Sequence, residues 1–375
     1  MKKTLIAFAA LSAIAGLAQA QSSVTLYGLV DVYVGRTTSE VTGIGATPEV
    51  KRNVINSSGQ NNSRWGVRGT EDLGGGLKAV FGLEGGINPD VGGSFTAISN
   101  QGGALFGRQA FVGASGGFGT VSLGRQYTAY DSLRGSTNMI YDNNFATTAT
   151  VWGAGLQDYQ NRASSSISYA SPSFAGFSGG FVYGLGEQAS FTGTPAPSGK
   201  ENTASVRIQY ANGPLLVGFA HQQEEQFAGG NYFGSGPGVN IPAANSTFNA
   251  KRKYNLVGAA YDFGVVKLVA QYNDAKGATS ATASSHDKEF QIGASVPFGP
   301  AAIAVGYSIA DTQGSGIGPG NAGSNKSNGL SLLGTYALSK RTNLYAGFTA
   351  VQLERANAAT EEKRTQIATG VRHLF

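Results

Sequence analysis

The chain has 375 residues, no cysteine, 13% charged residues and a formal net charge of +5. Its 56 glycines exclude a helical protein, and its 20 phenylalanines and 16 tyrosines exclude a disordered one. No basic run or nucleic-acid motif accompanies the positive charge, which argues against nucleic acid as a partner. The absence of thiols suits a chain that crosses an oxidising compartment unfolded.

The N-terminus reads as a secretory signal. Lys2 and Lys3 form a basic region, residues 5–17 are apolar and small, and Ala18-Gln19-Ala20 is a cleavage site, so 1–20 is expected to be a signal peptide and 21–375 the mature domain. The apolar core is too short to span a bilayer as a helix. Beyond Ala20 no long apolar run exists.

Most of the remaining chain alternates with period two. Val206, Ile208 and Tyr210 alternate with Ser205, Arg207 and Gln209; Phe290, Ile292, Ala294, Val296 and Phe298 alternate with Gln291, Gly293 and Ser295; Ile303, Val305, Tyr307 and Ile309 alternate with small residues. Strands with one apolar and one wet face read this way. Tight turns are expected at 72–76, 116–119, 172–176, 212–214, 263–264, 297–300 and 339–341. Between them lie long polar connections at 37–60, 87–103, 126–161, 187–201, 224–251, 276–287, 313–326 and 354–363. Short turns at one end and long loops at the other are the layout of an outer-membrane barrel. This count of connections implies a sixteen-stranded antiparallel transmembrane β-barrel with strands of roughly 9–11 residues. Lipid cannot satisfy backbone polar groups, so such a sheet must close on itself.

The third long connection stands apart. It is rich in aromatics and carries Asp131, Arg134 and Asp142, and loops of this length are normally functional or disordered. It is expected to fold into the lumen and narrow it. At the end of the chain, Ile367, Thr369, Val371, His373 and the terminal Phe375 share one strand face.

Parity orients the arginines. With Trp65 and Val67 toward lipid, Arg64 and Arg68 face the lumen; with Phe111 outward Arg108 faces in; with Ile167 and Tyr169 outward Arg162 faces in; Arg207 joins the polar face. On the lipid side each would cost about 2–4 kcal/mol at midplane. Arg125 shares parity with Val121 and Leu123 but lies at a strand end, so its direction is open. Asp31 and Glu84 fall on lumen faces. Tyr183, Tyr254, Phe263, Phe290 and Phe298 lie near strand ends, where interfacial girdles form.

Five stretches carry a resemblance: SSVTLYGLVDVYVG at 22–35, NSRWGVRGTEDLGGGLKAVFGLEGG at 62–86, LFGRQAFVGASGGFGTVSLGRQY at 105–127, NRASSSISYASPSFAGFSGGFVYG at 161–184 and GVRHLF at 370–375. The chain resembles the general porins of Gram-negative outer membranes, more narrowly the betaproteobacterial type. The resemblance implies a homotrimer of barrels in outer-membrane lipid and lipopolysaccharide, passing ions and small hydrophilic solutes. It implies that the third loop forms an eyelet, with Arg64, Arg108 and Arg162 in a basic wall and Asp131 and Asp142 on the acidic side; parity adds Arg68 to the wall and Asp31 and Glu84 to the side facing it. The enteric type carries Pro-Glu-Phe-Gly where Ile140-Tyr141-Asp142-Asn143 follows Met139 here. The plainer alternatives are solvated rim charge for the arginines and local loop capping for Asp131 and Asp142. Loop 87–103 is implied to touch a neighbouring subunit, and the arginines suggest a weak anion preference.

Two other readings compete. A substrate-specific channel would line its lumen with an aromatic track, for which Tyr127, Tyr130, Tyr141 and Trp152 are candidates. A barrel hydrolase would need a nucleophile and base; the G-x-S-x-G match at 176–180 lacks the following helix. His221, His286 and His373, the only histidines, form no evident catalytic pair or metal cluster. No catalytic residue, metal or cofactor is expected.

Overall fold

A computed structural model describes residues 22–43, 46–94, 105–141, 143–152, 159–185, 202–227, 249–278, 284–315, 322–355 and 360–375. The leader at 1–20, Asp142 and most of the loop 87–103 lie outside the described residues.

The first strand, β1 (Ser23–Gly43), turns into β2 (Thr47–Ser57), and after an irregular stretch at 58–63 the chain resumes as β3 (Arg64–Gly74). Both pair antiparallel with β1, β3 along Ser23–Leu29 and β2 along Val32–Val41. They form one wall strand broken in the middle. Next come β4 (Leu77–Asn88), a short β5 (Gly93–Ser94), β6 (Gln109–Gly116) and β7 (Gly119–Tyr127). Two helices, α1 (Ala129–Ser136) and α2 (Thr148–Val151), precede β8 (Arg162–Ala170) and β9 (Phe177–Gly184). The chain continues through β10 (Asn202–Asn212), β11 (Leu215–Phe227), β12 (Asn249–Asp262), β13 (Lys267–Ala278) and β14 (Ser284–Phe298). It ends with β15 (Ala301–Ser315), β16 (Ala322–Ala337), β17 (Thr342–Arg355) and β18 (Thr360–Leu374).

Each wall strand pairs antiparallel with its sequence neighbour, and β18 pairs with β1 from Leu29↔Leu374 to Gly43↔Thr360. Counting β2 and β3 as one, and omitting β5, which pairs only with the end of β4, the closed wall has sixteen strands. Closure leaves no unpaired edge, which is what a sheet surrounded by hydrocarbon requires. The last residue takes part: Phe375 and Gly28 exchange two backbone hydrogen bonds at 3.1 Å, and the absence of a side chain at Gly28 leaves room for the Phe375 ring.

The alternation read from the sequence is an alternation of exposure. On β14, Phe290 and Ile292 are 38% and 49% exposed, while Glu289 and Gln291 are buried. The exposed apolar row continues through Val257, Tyr272, Ile309 and Leu330 on adjoining strands. This is the lipid side of the wall, and the polar face turns toward the axis. All seven tight turns occur where expected; Gly264 (φ 81°) and Gly299 (φ 59°) adopt the left-handed conformation that such turns need.

Three expectations are corrected. Many strands, β1 and β11 to β18 among them, are longer than 9–11 residues, β1 reaching 21, and they absorb much of what reads as loop: 37–60 is largely β1 and β2. Polar residues pair across a ladder as readily as apolar ones once the strands leave the lipid. Phe111 is not on the lipid side, because it pairs with Gly82, which shares a face with Glu84, whereas its neighbour Val112 is 60% exposed. Tyr254 is no girdle residue: it is buried on the polar face beside Tyr130 and Tyr159, with ring centroids 6.0 and 6.3 Å apart.

Candidate functional site

One part of the polar face gathers the arginines. Glu84 on β4 accepts a hydrogen bond from Arg108 Nε at 2.7 Å and one from the Tyr27 hydroxyl at 3.0 Å, with Arg64 Nε 3.7 Å away. The phenol oxygen of Tyr127 accepts from two guanidiniums, Arg108 Nη2 and Arg162 Nη2, each at 2.6 Å. Arg162 stacks over the same ring, Cζ to centroid 4.3 Å, and Arg68 lies 5.0 Å over the ring of Tyr27. Aromatic faces and one carboxylate make the crowding of like charges tolerable. Arg64 and Arg108 thus meet the Glu84 carboxylate, while Arg68 and Arg162 adjoin the same group through the rings of Tyr27 and Tyr127.

Local backbone, not parity, brings two of them there. Arg108 precedes the first residue of β6, and its N–H bonds the Glu84 carbonyl at 3.1 Å. On β8 the ladder slips between Gly124 and Gln126, and Ser165 takes φ 47°. This bulge reverses parity, so Ala163 packs on the polar face against Ala129 and Val182, and Arg162 reaches the cluster from the end of the strand. Arg125, opposite Ala110 on the lipid-side parity, is held by the Gly107 carbonyl and Ser164 Oγ, both at 2.7 Å.

The acidic candidates do not form one opposing row. Glu84 lies among the arginines. Asp31 is fully buried: its carboxylate accepts backbone N–H bonds from Gly59 (3.0 Å), Gln60 (2.9 Å) and Asn61 (2.7 Å) and one from the Tyr345 hydroxyl, so it organises the break between β2 and β3. Asp131 lies in the first turn of α1, its N–H bonded to Thr128 Oγ1 at 3.2 Å, and its Oδ1 accepts from the hydroxyls of Tyr141 and Tyr159 at 2.6 Å each. Asp142 lies outside the described residues.

The segment after β7 packs on the polar face of β10 to β17. Tyr130 N–H bonds Ser205 Oγ and its hydroxyl bonds Asn273 Oδ1, both at 2.8 Å. Gln271 Nε2 donates to the Arg134 carbonyl and to Thr137 Oγ1 at 2.6 Å, and Thr147 Oγ1 meets Ser308 Oγ at 2.8 Å. Arg134 is buried between the rings of Trp152 and Tyr159. Tyr130 and Trp152, candidates for an aromatic track, are likewise buried, in an apolar cluster with Leu133, Val151 and Leu256.

Sequence reading missed what makes room for this segment. A Cβ at Gly218 would come within 2.7 Å of Leu133, at Gly293 within 2.7 Å of Met139, at Gly329 within 2.8 Å of Thr147, and at Gly347 within 2.6 Å of Phe145; at Gly258 it would meet Thr137. These glycines on β11, β12, β14, β16 and β17 form a trough. The signal was available: each replaces a polar side chain on the polar phase of its strand. Arg372 was also missed. It shares the polar face of β18, opposite Asp31, with Nε 2.9 Å from Asn343 Oδ1.

Catalysis finds no support in the histidines. The structure does pair His286 with Asp274, Nε2 to Oδ2 2.7 Å, but on the lipid side of β13 and β14, with Lys276 as the third member. Ser178 is on β9, several strands away. No group of three potential metal ligands occurs among the described residues.

Comparison with known proteins agrees with this architecture. Residues 7–356 match the Gram-negative porin family. The chain is 33% identical to outer membrane porin protein 32 of Delftia acidovorans and 33% identical to an outer membrane porin protein of Bordetella pertussis, over 100% of both chains in each case. An anion-selective porin from Comamonas acidovorans superposes with a TM-score of 0.73 at 28% identity, covering 95% of this chain and 100% of that one. Likeness of this extent assigns the closed wall to a known group of passive outer-membrane channels, not enzymes: the chain belongs to the Gram-negative porin family.

Proposed function

We propose that this porin is a general channel, a water-filled path for ions and small hydrophilic solutes, with a modest preference for anions. The observation that carries the reading is the gathering of Arg64 and Arg108 on Glu84, with Arg68 over Tyr27 and Arg162 on Tyr127 beside them. Excess fixed charge of one sign in a narrow opening concentrates counter-ions and biases which ions pass. The described part of the connection after β7 narrows the path, leaving solutes to pass between it and the arginines. The anion selectivity of the Comamonas porin is consistent with the sign. Burial of Tyr130 and Trp152 removes two rings from any aromatic track, which favours a general channel over a substrate-specific one.

The protein works as a homotrimer in outer-membrane lipid and lipopolysaccharide, after residues 1–20 have been removed; loop 87–103 touches the neighbouring subunit. Planar-bilayer recording under a salt gradient tests the filter. The expected reversal potential favours anions, and replacing Arg64, Arg108 and Arg162 together by Gln shifts it toward cations. An unchanged potential removes those residues from the filter, and saturable block by a dilute solute identifies a specific channel instead.

A further inference from the structure

The polar face holds a further arginine away from the filter. Arg207 on β10 pairs in register with Gly180 on β9 and Ala220 on β11. Gly180 in turn pairs with Ala170, where β8 ends beside its short turn. Arg162 stands at the opposite end of β8, eight residues before Ala170 and roughly 25 Å from it along the strand. Arg207 is therefore displaced from the cluster around Glu84 toward the short turns. In a porin the short turns are periplasmic, so a solute moving inward meets Arg207 after the filter.

The protein offers this guanidinium no anion. Its Nη1 donates to Gln209 Oε1 at 3.1 Å, a contact that fixes the plane of the fork. Its Nε is buried and meets no acceptor. No carboxylate lies within ion-pair distance of it among the described residues. Part of the reason is in the sequence, since β6 to β10 contain neither aspartate nor glutamate. Arg64 and Arg108, by contrast, meet Glu84. The Arg207 side chain leans over β9, where a Cβ at Gly180 would stand 3.8 Å from both Nε and Nη2. Glycine at 180 leaves that edge of the fork with no side chain above it. A charged donor left buried and unpaired is costly, and an acceptor arriving along the channel relieves it.

We propose that Arg207 is a weak binding station for small organic carboxylates on the periplasmic side of the filter. The carboxylate takes the Nε–Nη2 edge above Gly180 through two parallel charge-assisted bonds, while Gln209 holds the fork in place. A planar carboxylate matches that edge and a spherical chloride does not. The station thus ranks anions by shape, where the filter ranks ions by charge. Binding is weak enough for release, so the path remains that of a general channel. The inference deepens the anion path proposed above and rests on it for the supply of anions; the contact itself depends on Arg207, Gln209 and Gly180 alone.

The test is planar-bilayer recording of the whole porin over rising concentrations of sodium propionate and, separately, of sodium chloride. In the parent, propionate conductance is expected to half-saturate at a concentration about threefold below that for chloride. Arg207→Lys keeps the charge and loses the fork, and should bring the two half-saturation points together. Gly180→Val leaves Arg207 in place and covers its free edge, and should do the same. Each variant must show the heat-modifiable electrophoretic shift of a closed barrel; should Gly180→Val misfold, Gly180→Ala takes its place, its added carbon standing at ordinary contact distance. Arg64→Gln, in the filter, should move the reversal potential in a chloride gradient and keep the early saturation by propionate. That arm separates failure of the filter from failure of the station. Propionate and chloride saturating together in the parent, or early propionate saturation surviving in either Arg207→Lys or the folded Gly180 variant, overturns the proposal.

Discussion

Gly258 on β12 lies directly beneath Thr137, the residue that ends α1, so closely that a single carbon added at 258 would occupy the space of the threonine hydroxyl. The segment after β7 therefore rests on the wall at a height fixed by a missing side chain. Gly258→Val is expected to lift α1 away from the wall. Overpacking of this kind costs about 1–3 kcal/mol. Single-channel conductance should fall or become noisy, while Gly306→Ala, on a wall position with no close neighbour in the segment, leaves conductance as it was.

Glu84 and Asp31 make a contrasting pair. Glu84→Gln removes the carboxylate that Arg64 and Arg108 meet and breaks the Arg108 ion pair at 2.7 Å, a loss of about 1.5–3 kcal/mol. Anion preference should rise, read as a larger reversal potential under the same salt gradient. A potential that moved toward cations would contradict the proposed filter.

Asp31→Asn should act on stability and leave selectivity nearly alone. Its carboxylate is fully buried and holds the turn at 58–63 through three backbone N–H groups and Tyr345. Losing those charge-assisted bonds costs about 1–3 kcal/mol. A lower unfolding temperature with selectivity nearly unchanged is the expected outcome, measured by thermal circular dichroism beside bilayer recording.

Tyr127→Phe separates hydrogen bonding from charge. Arg108 and Arg162 lose their common acceptor but keep the aromatic face. A cost of about 1 kcal/mol follows from one such loss. Reversal potential should hold while current noise rises, since the guanidiniums remain charged and become less fixed. A shift in potential as large as that from an arginine replacement would mean that the position of these groups, more than their charge, sets selectivity.

Much of the fold was legible because a membrane wall obeys a simple rule at each residue. Phe290 and Ile292 alternate with Glu289 and Gln291 for one physical reason, so strand number and turn positions could be counted. The site was less legible because its residues lie where the rule lapses. Arg108 precedes a strand, Arg162 stands just before a bulge, and Glu84 pairs with side chains distant in sequence. Parity pointed both arginines to the polar face, yet the path is different: Phe111 faces in, and the Ser165 bulge reverses β8. Nor does parity distinguish an acid that lines water from one that ties down a turn, which is why Asp31 was read as part of the filter. The glycine trough was hidden because a glycine on the wet face of a strand looks the same whether it meets water or a folded segment.

The length of β1 has a bearing on what a solute meets first. Twenty-one residues extend about 70 Å, and at a tilt near 45° they stand roughly 50 Å tall against an apolar band of about 25 Å. Where β1 pairs with β2 and β18, the barrel must therefore rise well clear of the bilayer as a stiff palisade. Molecules arriving from outside encounter a hydrogen-bonded rampart on that flank before they reach the level of the bilayer.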